Sequence, residues 1–410
     1  MRKRLATIPL YSSAFLRWTA IATLIGLLCG TIGGLFALAV DWATHTRESH
    51  GFLLYLLPVG GLVIVALYRL LKLPASMGTN EIITTVRTQS KVPLQLSPAI
   101  FFSTVITHLL GGSSGREGAA LQLGGSLGAA VGRLTGTRYD RRRICQLCGM
   151  AALFSALFGT PLTATIFVLE MVEVGRVYSR AMFPCCVAAI VAKLTAAFIG
   201  VHEEPFFLAS SLIGITPLSL VQSCGMAVLC SLTAVMFCVV MHASGKAMRR
   251  WIPNDYLRIA VGGCAVILLT LVLNTRDYLG GGMHIIFSAL DGNARPEAFL
   301  LKLLFTAVTL SAGFKGGEIV PSVFVGATMG CTGAALLGLP PQLGAALGMI
   351  GVFCGVTNAP LASLMLSIEL FGSEYLPLFG LVTLTSFMLS GHHSLYHAQT
   401  FAELKLGREE

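Results

Sequence analysis

Gly115-Arg-Glu-Gly-Ala-Ala-Leu-Gln-Leu-Gly-Gly-Ser-Leu-Gly128 has a counterpart 202 residues later, Gly317-Glu-Ile-Val-Pro-Ser-Val-Phe-Val-Gly-Ala-Thr-Met-Gly330, with glycines matching at the first, tenth and last places. A second pair follows in the same order. Thr160-Pro-Leu-Thr-Ala-Thr-Ile-Phe-Val-Leu-Glu170 aligns with Ala359-Pro-Leu-Ala-Ser-Leu-Met-Leu-Ser-Ile-Glu369, offset by 199 at both the proline and the glutamate. Two pairings in one order with nearly equal offsets predict a two-fold internal repeat, and with it a binding site where the repeats meet.

The surrounding composition decides the solvent. Of 410 residues, 55% are hydrophobic and 11% charged, and mean hydropathy is +0.78. Soluble domains carry about a quarter charged residues, so a water-soluble globule is excluded, as is a disordered chain. The apolar runs are long and unbroken, which reads as spanning helices and not as the alternating strands of a barrel. Trp18–Val40 and Phe52–Tyr68 read as spanning helices. Phe206–Gly245 is uncharged for 40 residues, while Leu303–Phe314 is too short to span alone. Ile319–Ile368 carries no charge over 50 residues but is broken by Gly-Leu-Pro-Pro and Thr-Asn-Ala-Pro. Long tilted helices mixed with half-helices predict an all-α integral membrane transporter.

The formal net charge of +9 arises from short basic runs between apolar segments: Arg2-Lys3-Arg4, Arg138 with Arg141-Arg142-Arg143, and Lys246 with Arg249-Arg250. This is the positive-inside pattern, so it sets orientation and implies no nucleic-acid partner. It places both termini and these loops in the cytoplasm and His202-Glu203-Glu204 outside. No cleavable signal is expected. The expected division is a cytoplasmic tail over 1–16, a first transmembrane repeat over 17–202, a second over 203–400 and a second tail over 401–410.

Eleven cysteines lie mostly within apolar runs, where Cys acts as a small hydrophobe. Cys145 and Cys148 form one CxxC without a second ligand pair, so no metal is expected. Protease, hydrolase and nucleotide signatures are also lacking, so neither a cofactor nor enzyme activity is expected.

The remaining polar residues concentrate at glycine-rich breaks. Gly111-Gly-Ser-Ser-Gly-Arg-Glu-Gly118 opens an apolar helix. Unpaired N–H groups at such a helix start suit an anion. Glu117 would sit where that anion sits, and a carboxylate at membrane depth reads as functional. Ionised, it would occupy the anion's place; protonated, it would swing aside. The plainer reading is a helix-end pair with Arg116. Gly313-Phe-Lys-Gly-Gly-Glu-Ile-Val-Pro321 is the repeat partner, offering the amides of Ile319 and Val320. For Glu318, a functional role and a salt bridge to Lys315 stand equal. Pro74-Ala-Ser-Met-Gly78 is a third break, weak alone. His392-His393 reads as solvated, and Glu170 and Glu369 read as structural acids accepting helix-end amides.

Together these motifs resemble the CLC family of anion channels and anion/proton antiporters, from about Trp18 to Tyr396. The resemblance implies a CLC-type fold with two inverted-topology repeats, a homodimer with one pathway per subunit, and residence in the lipid of the inner membrane. It gives Glu117 the gate and proton-carrier role. Central anion binding falls to Met77, Gly78, Arg116, Gly118, Gly317, Ile319, Val320 and Tyr396. Met77 stands where chloride members have serine, which resembles the bacterial fluoride/proton antiporter branch. So do Gly112-Ser113, Gln122, Glu318 and Ser394-Leu395-Tyr396. Met171 stands where chloride antiporters carry a separate proton glutamate, so protons would travel by way of Glu117, with Glu318 as a second relay. Asn80 and Ile83 occupy pathway positions where that branch can carry phenylalanines. Val320 and Ala119 replace hydroxyl residues. The implied activity is export of fluoride in exchange for protons; the rivals are chloride/proton antiport and passive anion conduction.

Overall fold

The computed structural model describes residues 8–138, 141–202, 206–208, 212–402 and 405. Arg2-Lys3-Arg4 and Glu203-Glu204, read above for orientation, lie outside the described residues. Among those described there are sixteen α-helices. The first eight are α1 (Ile8–Ser49), α2 (Leu57–Leu70), α3 (Thr79–Thr88), α4 (Leu96–Leu109), α5 (Glu117–Leu134), α6 (Arg142–Phe158), α7 (Pro161–Glu170) and α8 (Met182–Ile199). The second eight are α9 (Pro217–Trp251), α10 (Asp255–Leu273), α11 (Met283–Leu290), α12 (Ala298–Ala312), α13 (Ile319–Leu337), α14 (Pro341–Thr357), α15 (Pro360–Phe371) and α16 (Leu376–Leu389).

The repeat visible in the sequence is therefore a repeat of helices: α4–α7 recur in order as α12–α15. The shared punctuation is physical. Gly159 and Asn358 end α6 and α14 in the left-handed conformation, at φ 66° and 54°. Pro161 and Pro360 then start α7 and α15 at a first-turn position, where no N–H is needed.

Several expectations are refined. The first spanning run extends to α1, 42 residues long, and begins at Ile8, inside the expected 1–16 tail. At 1.5 Å per residue that is about 60 Å, far more than a bilayer's apolar thickness, so it tilts or projects. Phe52–Tyr68 is a 3-10 turn over Gly51–Leu56 followed by α2. The 40-residue uncharged run enters α9 only at Pro217, where Thr216 and Ser219 form a capping box. The fold also holds a short parallel ladder that the all-α reading did not anticipate, β1 (Glu173–Val174) with β2 (Thr400–Phe401).

The centre is built by α5 packed on α6 and α13 packed on α14. A Cβ at Gly124 or Gly128 would strike the carbonyls of Gly149 and Cys145. At the repeat-equivalent Gly326 and Gly330 it would strike those of Gly348 and Gly344. Small residues let these backbones touch, the usual basis of tight packing where lipid removes the hydrophobic drive. α13 is almost wholly buried although long and apolar enough to span. Around this centre, Leu24, Leu35 and Trp42 of α1, Leu194 and Phe198 of α8, Leu232 of α9 and Leu268 of α10 are exposed. An apolar exterior of this extent belongs in lipid, and the chain is a multi-pass membrane protein.

Candidate functional site

The two glycine-rich breaks meet face to face. Gly115 N–H donates to the Gly317 carbonyl at 2.8 Å, and Gly317 N–H donates back at 2.7 Å. Neither break tolerates a side chain there, because a Cβ on Gly317 would fall on the Gly118 backbone and one on Gly118 would lie 2.8 Å from the Gly317 Cα. The closed pair sets the N-termini of α5 and α13 against one another, and with them their unpaired amides and positive dipole ends.

Glu117 lies at this junction, 3% exposed. Its carboxylate accepts the Arg116 N–H at 2.9 Å. The N–H of Val320, from the opposite repeat, also faces it. A side-chain anion thus occupies the cradle that two helix starts would offer to a free one. The plainer reading, a pair with Arg116, describes only part of the geometry. Arg116 Nε is 3.8 Å from Glu117 Oε1, while its Nη1 lies 3.0 Å from Asp41 Oδ1. Asp41 on α1, which sequence reading missed, is the arginine's closer partner.

Tyr396 reaches the same region from the segment after α16. It is 1% exposed, and its hydroxyl finds no partner in the protein. A buried, unpartnered phenol is costly unless a ligand or water completes it. The ring lies within electrostatic reach of both Glu117 and Glu318. Its backbone is fixed from several sides: Tyr396 N–H donates to Ser394 Oγ, Ser394 Oγ to Gln399 Oε1, and Gln399 Nε2 to the Thr357 carbonyl. Asn80, expected along the pathway, accepts the Ala398 N–H at 3.0 Å and so holds this segment in position. Ile83, the other pathway candidate, is fully buried in α3.

At the third break, Gly78 N–H donates to Glu81 Oε2 at 2.8 Å, so this amide is already engaged. Met77 is 8% exposed and borders a cavity of about 380 Å³ lined also by Ser76, Glu81 and Gln95. Lys315 answers the question left open for Glu318. Its ammonium donates to the carbonyls of Ala75 and Met77 at 2.6 and 3.0 Å and lies over the Tyr68 ring. Among the described residues no ion pair joins it to Glu318, which is half-buried near Tyr396 and Cys238. Thr79 Oγ1 donates to the Gly118 carbonyl, and Gln122 Nε2 reaches both that carbonyl and Thr79 Oγ1. These bonds tie α3 to α5 beside the glutamate. Of the anion-binding residues read from the sequence, Arg116, Gly118, Gly317 and Val320 converge on Glu117, with Ile319 opening α13 beside them. Met77 and Gly78 join through Lys315 and Thr79.

Glu170 and Glu369 take structural places. Glu170 accepts the N–H groups of Leu361 and Ala362 at 3.2 and 3.0 Å, and Glu369 accepts those of Leu162 and Thr163 at 3.0 and 2.8 Å. Each acid, near the end of one short helix, caps the start of the other.

Residues 60–391 match the family described as "Voltage gated chloride channel". A "Chloride/fluoride channel protein" of Pseudomonas syringae pv. tomato is 36% identical over 396 residues, 95% of this chain and 87% of that one. The solved structure described as a "CLC-type fluoride/proton antiporter" superposes with a TM-score of 0.91 at 30% identity, over 95% of this chain and 98% of that one. A "slow cyanobacterial Cl-/H+ antiporter" shares the fold, with a TM-score of 0.78 at 20% identity over 91% and 94% of the two chains.

Proposed function

The chain belongs to the voltage-gated chloride channel family, the CLC family, and from that premise we propose that it is a fluoride/proton antiporter expelling fluoride from the cytoplasm as protons enter. Glu117 is the gate and the proton carrier. The observation that carries this reading is the Glu117 carboxylate lying between the amides of Arg116 and Val320, one from each repeat. Protonation removes the charge that holds it there and frees the cradle for an anion, so proton and anion occupancy exclude one another. Fluoride is small and strongly hydrated, and close donors must replace its water; the two helix starts and the Tyr396 hydroxyl are suited to that. Glu318 acts as the second proton relay, and Met77 lines the selective passage. The likeness to a fluoride/proton antiporter at a TM-score of 0.91 supports fluoride over chloride.

In this reading the repeats run over 17–202 and 203–400. The protein works as a homodimer in the inner membrane, with both termini cytoplasmic, and performs no chemical conversion. The test is transport in proteoliposomes followed with fluoride and chloride electrodes. An inward proton gradient should drive fluoride uphill, and Glu117→Gln should abolish that drive. Equal movement of both anions overturns the fluoride assignment, and fluoride that only dissipates its own gradient marks a channel.

A further inference from the structure

Met171, apolar and fully buried, offers no acid on the cytoplasmic half of the proton route. A different set of titratable groups lies along α9. Cys238, His242 and Lys246 are spaced by four residues, so they stack on one face of the helix about 6 Å apart. Cys238 lies within electrostatic reach of Glu318 and of Lys405. One turn further, the His242 ring lies beside the backbone of Leu395, the residue before Tyr396. Its ring centroid is 6.2 Å from that of His397, at an interplanar angle of 71°. His393 and Lys246 face it as well. His242 is half-buried, whereas His393 and His397 are exposed. Titratable groups therefore run from Glu117 past Tyr396 and Glu318 to His242, and from there to solvent at the basic end of α9.

We propose that His242, with His397 on its solvent side, transfers protons between Glu318 and the cytoplasm. The inference rests on the antiport reading above. A neutral imidazole carries one ring N–H and keeps its second nitrogen as an acceptor. A proton leaves the Glu318 carboxylic acid and crosses intervening water to that nitrogen, giving carboxylate and imidazolium. The imidazolium then releases a proton to the neutral His397 ring or to water, and the neutral imidazole is restored. The same position gives the plain alternative, in which His242 only packs α9 against the segment carrying Tyr396.

The full chain in proteoliposomes separates the two. His242→Gln keeps a polar side chain of similar reach beside Leu395 but cannot shuttle protons at neutral pH. Its fluoride-coupled proton uptake should fall by about a hundredfold, the lower end of what a positioned proton-transfer group contributes. Fluoride binding by calorimetry should be unchanged, and imidazole buffer on the cytoplasmic face should restore the rate. His242→Asn serves if the glutamine variant does not fold. A wild-type rate and pH profile in either variant overturns the proposal, and so does a slow variant that imidazole cannot rescue. If the wild-type chain moves fluoride without protons, the antiport reading itself has failed, and that is visible before any variant is made.

Discussion

Gly115 and Gly317 exchange both of their backbone hydrogen bonds, at 2.8 and 2.7 Å, and through this exchange one carboxylate feels the starts of two helices. The pair is a two-residue bridge between repeat-equivalent positions. It fixes how far apart the N-termini of α5 and α13 can be, and hence the size of the cradle that Glu117 fills.

Alanine at either glycine should disrupt that cradle. A Cβ on Gly115 would meet Val320 Cβ at 2.9 Å and displace the Glu117 carboxylate, and one on Gly317 would press on the Gly118 backbone. Overpacking of this kind costs about 1–3 kcal/mol. Gly317→Ala should therefore lower the melting temperature in detergent and reduce fluoride flux together. An unchanged melt with normal flux would contradict the packing described here.

Tyr396→Phe separates binding from stability. The hydroxyl has no partner in the protein, so its removal should not lower the melting temperature. If it donates to the anion, fluoride affinity should fall by about 1.5–3 kcal/mol, roughly ten- to a hundredfold. Calorimetric titration with fluoride measures this directly.

Glu170→Ala and Glu369→Ala should do the opposite. Each removal strands two helix N–H groups in the partner helix. Losing a charge-assisted cap should cost about 1.5–3 kcal/mol in stability. The ratio of protons to fluoride moved should stay at the wild-type value in folded protein. A changed ratio would give these acids a place in the proton route.

Met77→Ser tests selectivity. The side chain is buried beside a cavity, while the backbone carbonyl, which holds Lys315, is untouched by the substitution. Chloride transport should rise relative to fluoride when both electrodes are read on the same vesicles. An unaltered ratio would move the selective step away from this break.

Much of this architecture was legible because it is written in local chemistry. Glycine followed by apolar residues marks a helix start, and the doubled offset between Gly115–Gly128 and Gly317–Gly330 exposes the repeat. Glu117 stood out because charge is rare in this chain. What escaped was pairing across sequence distance. Asp41 is one acid at the end of an apolar run, and nothing in its neighbourhood says that α1 brings it to Arg116. Lys315 sits three residues from Glu318, yet the loop turns its ammonium toward the carbonyls of another break. α1 begins well ahead of Trp18 because the less apolar residues from Ile8 onward still form a helix, with Pro9 in its first turn, where no N–H is needed. His242 lies inside the long uncharged run with nothing nearby to single it out, and only the return of the last segment gives it His397 for a neighbour.

The bridge between Gly115 and Gly317 also limits what kind of machine this can be. Many carriers rock one half of the molecule against the other, exposing a fixed site to each side in turn. Here the halves are stitched together at the site itself, and the glycines that make the stitch leave no slack for one half to slide. Alternation must then be carried by individual side chains, Glu117 first among them, while the scaffold stays still. Turnover would be set by how often a single carboxyl group changes place, not by the swing of a domain.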